Sequence, residues 1–477
     1  MSRINTNVGS LTAQLGLARS QQTLNTTLQR LSTGLRINTG ADDPAGLIAS
    51  ESLRSELAGI NQAVDNSQQA GNVISTAEGS LNEVSSLLLN IKSLVVQAAN
   101  SGALSPDEIA ANQLQVDSAV ESITRISNTT TFAGLHLING NLDYITSGVD
   151  TNAIKSLNIA QAQLGTNPNL PVQVNVITSA QTANLEFKSS AIVNSVTLSI
   201  TGNQGVQTLT FTSGTAASAI AYAVNGISDS TGVTASQITP GNITSGIAFH
   251  STDFGSKNFV SVTAQTGSFA TVDAGGNAKT RTTGRDAVAT VNGSLVTGDG
   301  LDLKVNTGSL DMDLTLANSF GAGATSFAVT GGGALFQLGA QVSSNQQVSV
   351  GISSVAASKL GDSNVGFLNE IVTGGNSTLV GGDSAGAEKI IETAISQISV
   401  LRGRLGAFQK NTLSTNINSL QVAMENVTSS ESQIRDADFA QETANLTRAQ
   451  ILTQAGTSVL ATANNTPQSV LSLLQGH

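Results

Sequence analysis

Cysteine and tryptophan are absent from this chain of 477 residues, which holds only 6 prolines and 2 tyrosines. Without cysteine there are no disulfides, no thiolate-held zinc or iron–sulfur clusters and no thiol nucleophile. Charge is also scarce. Asp, Glu, Lys and Arg make up 11% of the chain, less than half of the roughly 25% usual in globular domains. The 21 basic residues are scattered and the net charge is −11, so the basic patch that a nucleic-acid partner requires is missing. No apolar run approaches the ~18 residues of a membrane span, so no membrane insertion is expected. The opening residues Met1 to Asn7 contain neither an apolar segment nor a small-residue cleavage site. No secretory signal peptide is therefore expected, and export would need a route that reads an uncleaved N-terminus.

The scarcity of charge is greatest at the two ends. Residues 1–41 contain no Asp or Glu and only Arg3, Arg19, Arg30 and Arg36. Residues 443–477 contain Arg448 and, beyond it, only His477 as a titratable side chain. A surface helix normally carries a charged face. Helices that are apolar on one side and Gln-, Asn-, Ser- and Thr-rich on the other suit burial among copies of themselves.

Ile4, Val8, Leu11, Leu15 and Ala18 step as a heptad stripe. Leu17, Leu24, Leu28, Leu31 and Leu35 continue it after a phase shift near residue 20. Thr39-Gly40 ends a helix and Asp43-Pro44 begins another, with Asp43 as cap and Pro44 at the first helical position. Residues 37–46 therefore read as an irregular connector. A second long helical stretch covers 47–99, its stripe running Ala77, Leu81, Val84, Leu88, Ile91, Val95 and Ala98. Ser105-Pro106-Asp107-Glu108 is a capping box that opens a third helix to about Ser127.

From about 176 to 350 the period changes to alternation. Val196, Leu198 and Ile200 alternate with polar residues, and so do Leu310, Met312, Leu314 and Leu316, with Asp311 and Asp313 on the other face. Asn292-Gly293 between Val291 and Leu295 marks a hairpin. Helix returns after Gly381-Gly382-Asp383. Ile391, Ile395, Ile398, Leu401, Leu405 and Phe408 form one stripe, and Ile417, Leu420, Met424 and Val427 extend it. A final helix is expected over about 432–463, with Ile434, Leu446, Leu452, Ala455 and Val459 inward. Thr466-Pro467 should break it before a last apolar turn that includes Leu471 and Leu474. The fold class expected is α+β and multi-domain: paired helical ends around a β-rich insertion.

Little in the chain suggests chemistry. His136, His250 and His477 lie far apart in unlike contexts, and no HExxH pattern occurs. Asp311 and Asp313 at alternate strand positions read as a solvated face. Asp42-Asp43 reads as a cap with a salt bridge to a nearby arginine. Gly331-Gly332-Gly333 lacks the Lys-Ser/Thr of a phosphate loop. The Asn-x-Ser/Thr tripeptides at Asn242, Asn292 and Asn376 are common by chance in so threonine-rich a chain. No catalytic residue, cofactor or metal is expected, and the chain is read as not an enzyme.

Three runs carry a family likeness. They are Ser432-Gln433-Ile434-Arg435-Asp436-Ala437-Asp438-Phe439-Ala440, then Arg448 to Leu460, and Leu31-Ser32-Thr33-Gly34-Leu35-Arg36-Ile37-Asn38 with Asp42-Asp43 and Ala45-Gly46 after it. On these the chain resembles bacterial flagellin, the subunit of the flagellar filament. The likeness covers roughly 1–142 and 335–477, and 187–236 is similar to a small β-rich module inserted in many flagellins.

The resemblance implies four parts. Residues 1–36 plus 435–477 would pair as an inner-core coiled coil. Residues 37–46 would form the connector, with Arg36, Asn38, Asp42 and Asp43 as its key residues. Residues 47–175 plus 335–434 would be a helical shell, and 176–334 an outer β-rich domain. The implied assembly interface comprises Ile4, Val8, Leu11, Leu15, Leu24, Leu28, Leu31, Leu35, Arg448, Ile451, Leu452, Ala455, Val459, Leu460, Leu471 and Leu474.

The implied function is self-assembly into the extracellular filament used for motility. Export would proceed unfolded by the flagellar type III route, with an export chaperone, the export apparatus, and hook-associated and cap proteins as partners. The family also implies recognition by an innate immune receptor. Leu94 matches the recognised surface, whereas Asn90 and Gln115 stand where an Arg and a Glu are expected. A hook–filament junction protein shares the terminal heptads but usually lacks the Arg448 to Leu460 run. A secreted adhesin or enzyme using the central region is the alternative from another class.

Overall fold

The computed structural model describes residues 6–165, 167–242 and 245–475. Its α-helices are α1 (Val8–Thr33), α2 (Pro44–Ala99), α3 (Pro106–Thr129), α4 (Ala217–Asn225), α5 (Ser228–Thr231), α6 (Ser384–Ala407), α7 (Thr415–Arg435) and α8 (Phe439–Gln475). The chain divides into two compact units. One comprises the chain up to Gln69, Gln337–Val342 and the chain from Thr412; the other comprises Ala70–Phe336 and Ser343–Asn411.

The first unit pairs the two ends of the chain. Asn7 caps α1 by accepting from the Ser10 amide, and Gly34 closes it in the left-handed conformation at φ 72°. The connector then meets the end of α7. Leu35 and Asp436 form an antiparallel bridge. The Arg36 amide donates to the Arg435 carbonyl at 2.7 Å, and the Ala437 amide donates to the Gly34 carbonyl at 2.9 Å.

The expected final helix over 432–463 is interrupted, because Asp436–Asp438 are not helical. At the other end the expected break at Pro467 does not occur, and α8 runs on to Gln475. A proline inside a helix leaves the carbonyl four residues earlier without its donor. That carbonyl belongs to Ala463, and the Asn7 side-chain amide donates to it at 2.8 Å. One asparagine thus caps α1 and supplies the donor that Pro467 lacks.

In the second unit the stripe predicted for α2 is the core. Ala77, Leu81, Val84, Leu88, Ile91, Val95 and Ala98 are between 0% and 3% exposed. Val116, Val120 and Ile123 of α3 are buried in this unit, as are Ile391, Ala394, Ile398 and Leu405 of α6. The capping box at Ser105 and Glu108 is formed in both directions. Buried Gln113 donates to the Ile371 carbonyl and accepts from the Leu379 amide, both at 2.8 Å, which ties the 371–379 loop to α3. A seven-residue π-helical segment, Phe408–Ser414, separates α6 from α7.

The β region has two cores, and the single outer domain expected over 176–334 divides between them. The first lies between two sheets. One has the strand order Ser294–Thr297, Val288–Val291, Leu170–Thr178, Gly323–Gly332, Tyr144–Ser147, and the other the order Asp302–Asn306, Leu310–Leu316, Ile154–Ala162. Val172, Val174, Val176, Phe327 and Val329 from one sheet share a core with Leu303, Leu310, Met312, Leu314 and Leu316 from the other. The expected cut between 175 and 176 therefore falls inside a strand, and residues 144–178 belong with the β core.

The second core is inserted between Leu170–Thr178 and Val288–Val291. Its sheets run Thr182–Phe187, Ile247–Phe254, Val233–Gln237 and Arg281–Thr283, Phe259–Thr266, Val196–Thr201, Val206–Phe211. Phe249, Leu198, Val262 and Ile220 of α4 fill it, and the rings of Phe187 and Phe269 stack at 4.0 Å. The hairpin expected at Asn292-Gly293 is present, with φ of 48° and 86° that suit a tight two-residue turn.

Tyr144 ties the first β core to the 347–350 strand. Its hydroxyl accepts from the Ala162 amide at 2.9 Å and lies 2.7 Å from the Ser349 hydroxyl. All of this is buried, so Tyr144→Phe leaves a buried amide without a partner. The expected cost is about 1–3 kcal/mol, read as a lower denaturant midpoint with an unchanged slope.

Candidate assembly surface

In α1 the residues turned toward cover are Ser10, Ala13, Leu17, Ser20, Leu24, Thr27 and Leu31. They step by three and four, as a heptad seam does. In α8 the covered positions are Glu442, Leu446, Ala449, Thr453, Gly456, Leu460 and Ala463, with the same stepping. The two helices run antiparallel. Asn7 reaches Ala463, Leu17 lies against Gly456, and Arg30 meets Glu442. Most seam residues are small, so the backbones approach closely. A Cβ on Gly456 would stand 3.3 Å from Leu17 Cδ1.

The phase shift near residue 20 now has a structural cause. Leu17, Leu24 and Leu31 lie in the seam, half-buried. Val8, Leu11 and Leu15 lie on another face and are 61%, 58% and 56% exposed. The sequence joins two faces of one helix into one stripe.

The residues expected at an interface divide in the same way. Leu24, Leu31, Leu35 and Leu460 are half-buried within the chain. Val8, Leu11, Leu15, Leu28, Arg448, Ile451, Leu452, Ala455 and Val459 are exposed. Leu452, Ala455 and Val459 were expected to point inward. Within the single chain they point outward, because the small-residue face of α8 takes the seam. Ile4 lies outside the described residues, as do the side chains of Leu471 and Leu474.

Among the exposed apolar residues that the sequence reading missed are Phe439, the first residue of α8, and Ile48, the fifth of α2, at 69% and 74% exposed. A large apolar side chain within a few residues of a helix start was the available signal. A face this apolar on helices with so few charges marks an interaction surface.

The connector is held by carboxylates in a way the sequence suggested only in part. Asp42 accepts from the Asn38 amide at 3.1 Å, the Thr39 amide at 2.8 Å and the Thr39 hydroxyl at 3.0 Å. Asp43 caps α2 through the Gly46 amide at 3.0 Å. The expected salt bridge to an arginine is absent among the described residues; backbone N–H groups fill that role. Arg36 donates to the Ile434 carbonyl, and the Asn38 side chain donates to the Leu35 carbonyl at 2.9 Å. Arg435 bridges to Glu51 at 3.1 Å.

The Thr39 amide and hydroxyl hold the Asp42 carboxyl below its usual pKa. A depressed folded-state pKa contributes stability above the unfolded value near 3.8, which is lost as pH falls through the folded value. The Asn38 and Thr39 amides should lose hydrogen-exchange protection only as pH falls below the usual carboxylate value of 3.8. Asp42→Asn should remove that dependence.

In the second unit a cleft of about 920 Å³ separates α6 from the outer face of the 302–316 strands. Lys155, Lys304, Lys359 and Arg404 line it together with Asp143, Asp302, Asp313 and Asp362, so its charges balance. Asp313, expected to be solvated, pairs with Arg404 at 3.2 Å, and burial pushes the Asp311 carboxyl up. Burial lowers His250, which lies beside Ser236. Among the described residues no group of three or more His, Cys, Asp or Glu could hold a metal ion. No described helix is long and apolar enough to cross a membrane.

Models of the bacterial flagellin N-terminal and C-terminal helical regions match residues 4–143 and 389–474. A B-type flagellin of Pseudomonas aeruginosa is 32% identical over 538 residues and aligns over 99% of each chain. The chain belongs to the flagellin family. Flagellins of Salmonella rubislaw and Salmonella typhimurium are 31% and 30% identical, again over 99% of each chain. The solved structure of FliC from Burkholderia pseudomallei covers 71% of this chain at 16% identity and a TM-score of 0.24, too loose a fit to place residues. Within this flagellin-family chain Asn90 and Gln115 are exposed, whereas Leu94 is only 7% exposed. Leu94 therefore does not present the side chain that the family likeness led one to expect on the surface.

Proposed function

We propose that this chain polymerises into the extracellular flagellar filament and acts there as a structural subunit. The carrying observation is the outer face of the paired ends: Val8, Leu11, Leu15, Ile451, Leu452 and Val459 stand exposed on helices almost free of charge. Covering one such side chain contributes about 1.5–3 kcal/mol. A second copy offers the same face, so identical chains can complete one another.

In this reading 1–36 and 435–477 form the inner layer and 37–46 the connector. The helical shell is 47 to about 143 with 335–434, and the two β cores make up the outer part. Export proceeds unfolded by the flagellar type III route, with a chaperone, the export apparatus, and hook-associated and cap proteins as partners. Likeness to flagellins along the whole chain favours a filament subunit over a hook–filament junction protein or a carrier of an adhesin or enzyme. No catalysis is proposed. Innate receptor recognition is reduced by Asn90, Gln115 and the covered Leu94.

Electron microscopy of the purified protein at rising concentration tests the reading. Filaments are expected above a critical concentration. In dilute solution the amides of α1 and α8 should exchange fast and become protected on polymerisation. Full protection of both ends in the dilute chain, with no filaments at any concentration, would sink it.

A further inference from the structure

We propose that the cleft between α6 and the 302–316 strands binds a neutral oligosaccharide. Its charges balance in number but are largely unpaired with one another. Among its described residues only Arg404 and Asp313 form an ion pair, at 3.2 Å. Lys155 and Lys304 touch no described carboxylate, and Lys359 acts on Asp143 as a charge at a distance. The other carboxylates are each held by one oxygen. Asp143 accepts from the Tyr144 amide at 2.8 Å, and Asp302 from the Thr315 hydroxyl at 2.6 Å. Asp362 accepts from the Asn364 and Val365 amides at 2.6 and 3.0 Å. Ammonium groups and carboxylate oxygens thus stand side by side with bonding capacity to spare.

The sheet presents these groups in rows. Lys304, Asp313 and Asn158 are direct neighbours across three strands, and Asp302, Thr315 and Ser156 form the next row on the same face. That second row is linked internally, Ser156 to Thr315 at 2.9 Å and Thr315 to Asp302 at 2.6 Å. In the first row the Lys304 ammonium and the Asn158 side-chain amide are left without a partner among the described residues. Phe367, and Val400 of α6, add apolar lining. Four basic and four acidic side chains sum to no net charge, which favours neither an anion nor a cation. Free donors beside free acceptors suit a ligand whose groups do both, as a hydroxyl does. One sugar hydroxyl can stand between the Lys304 ammonium and the open oxygen of Asp302. Phe367 supplies an aromatic side chain against which the C–H face of a pyranose can lie. A peptide would be read through a free strand edge, whereas these groups stand on the face of the sheet. A volume of about 920 Å³ lies at the upper end of the range for small-molecule clefts and admits several linked sugars. All the lining residues belong to the second unit, so the inference goes beyond filament assembly and does not depend on it.

Saturation-transfer NMR on the dilute full-length chain tests this. The neutral probes are cellotetraose, maltotetraose and N-acetylchitotetraose, and trigalacturonate is the anionic one. At least one neutral probe should bind with a Kd of about 1 mM or tighter, and about tenfold more tightly than trigalacturonate. Lys304 and Asn158 are both exposed, so K304M and N158A should fold as before. Each should weaken the binding by about tenfold or more, since each removes a hydrogen bond to the ligand. Lys188 lies outside the cleft and its side chain is 61% exposed. K188M removes the same charge there and should leave binding unchanged. Absence of binding by every neutral probe up to about 10 mM overturns the proposal. Tighter binding of trigalacturonate, unaltered binding in K304M and N158A, or equal weakening by K188M does the same.

Discussion

Leu452→Asp is expected to abolish filament formation while leaving the single chain as stable as before. Leu452 is 51% exposed on α8, so an aspartate there meets water in the isolated chain. Surface changes of this kind usually stay within about 0.5 kcal/mol. In a polymer the same position is covered by neighbours, and an unpaired buried carboxylate costs several kcal/mol. A penalty of about 4 kcal/mol per subunit raises the critical concentration roughly a thousandfold. Sedimentation and electron microscopy measure the polymer, and thermal melting measures the chain. Filaments of ordinary length at ordinary concentration would show that this face is not where copies meet.

The second expectation concerns the inserted β core. Excising residues 182–284 and joining Gln181 to Arg285 through Asn-Gly should leave a folded chain that still polymerises into narrower filaments. Gln181 and Arg285 already exchange both backbone hydrogen bonds, at 2.8 and 2.9 Å. Such a pair is what a two-residue hairpin turn closes. The excision removes the packing of Phe254 on the first β core and the Ser256 amide bonded to Asp286, a loss of about 1–3 kcal/mol.

A longer excision of 180–330 should behave quite differently. It takes away Val288–Val291 and most of Gly323–Gly332, the two neighbours of Leu170–Thr178. Val172, Val174 and Val176 would then lose their cover, and the chain should be recovered largely insoluble. Equal soluble yield and melting for the two deletions would mean that the two β cores are not separate. Failure of the shorter one to fold would mean that the inserted core supports the rest.

Much of the fold was legible because it is local. The α2 stripe, the capping box at Ser105 and the Asn292-Gly293 turn each depend on residues within a few positions of one another, and each is found where expected. The misreadings came from partners distant in sequence. Pro467 read as a helix end because the donor that satisfies Ala463 is Asn7, 456 positions away. The cut at residue 176 failed because the neighbours of that strand lie more than a hundred residues further on. Asp42 was given an arginine because a string of letters does not show backbone N–H groups converging on a carboxylate.

The candidate surface shows the same division. Composition and heptad spacing together showed that both ends are long helices with few charges and too many apolar residues to stay wet. Composition could not say which apolar residues face the chain's own partner and which face outward. A heptad repeat gives spacing along a helix but not the direction of its neighbour. Only docking of α8 on α1 assigns Leu17, Leu24 and Leu31 to the seam and Leu11, Leu15 and Leu452 to the outside. Close approach decides it: two backbones come together where Ala449, Gly456 and Ala463 permit, and Ile451, Leu452 and Val459 of α8 are left on the far side.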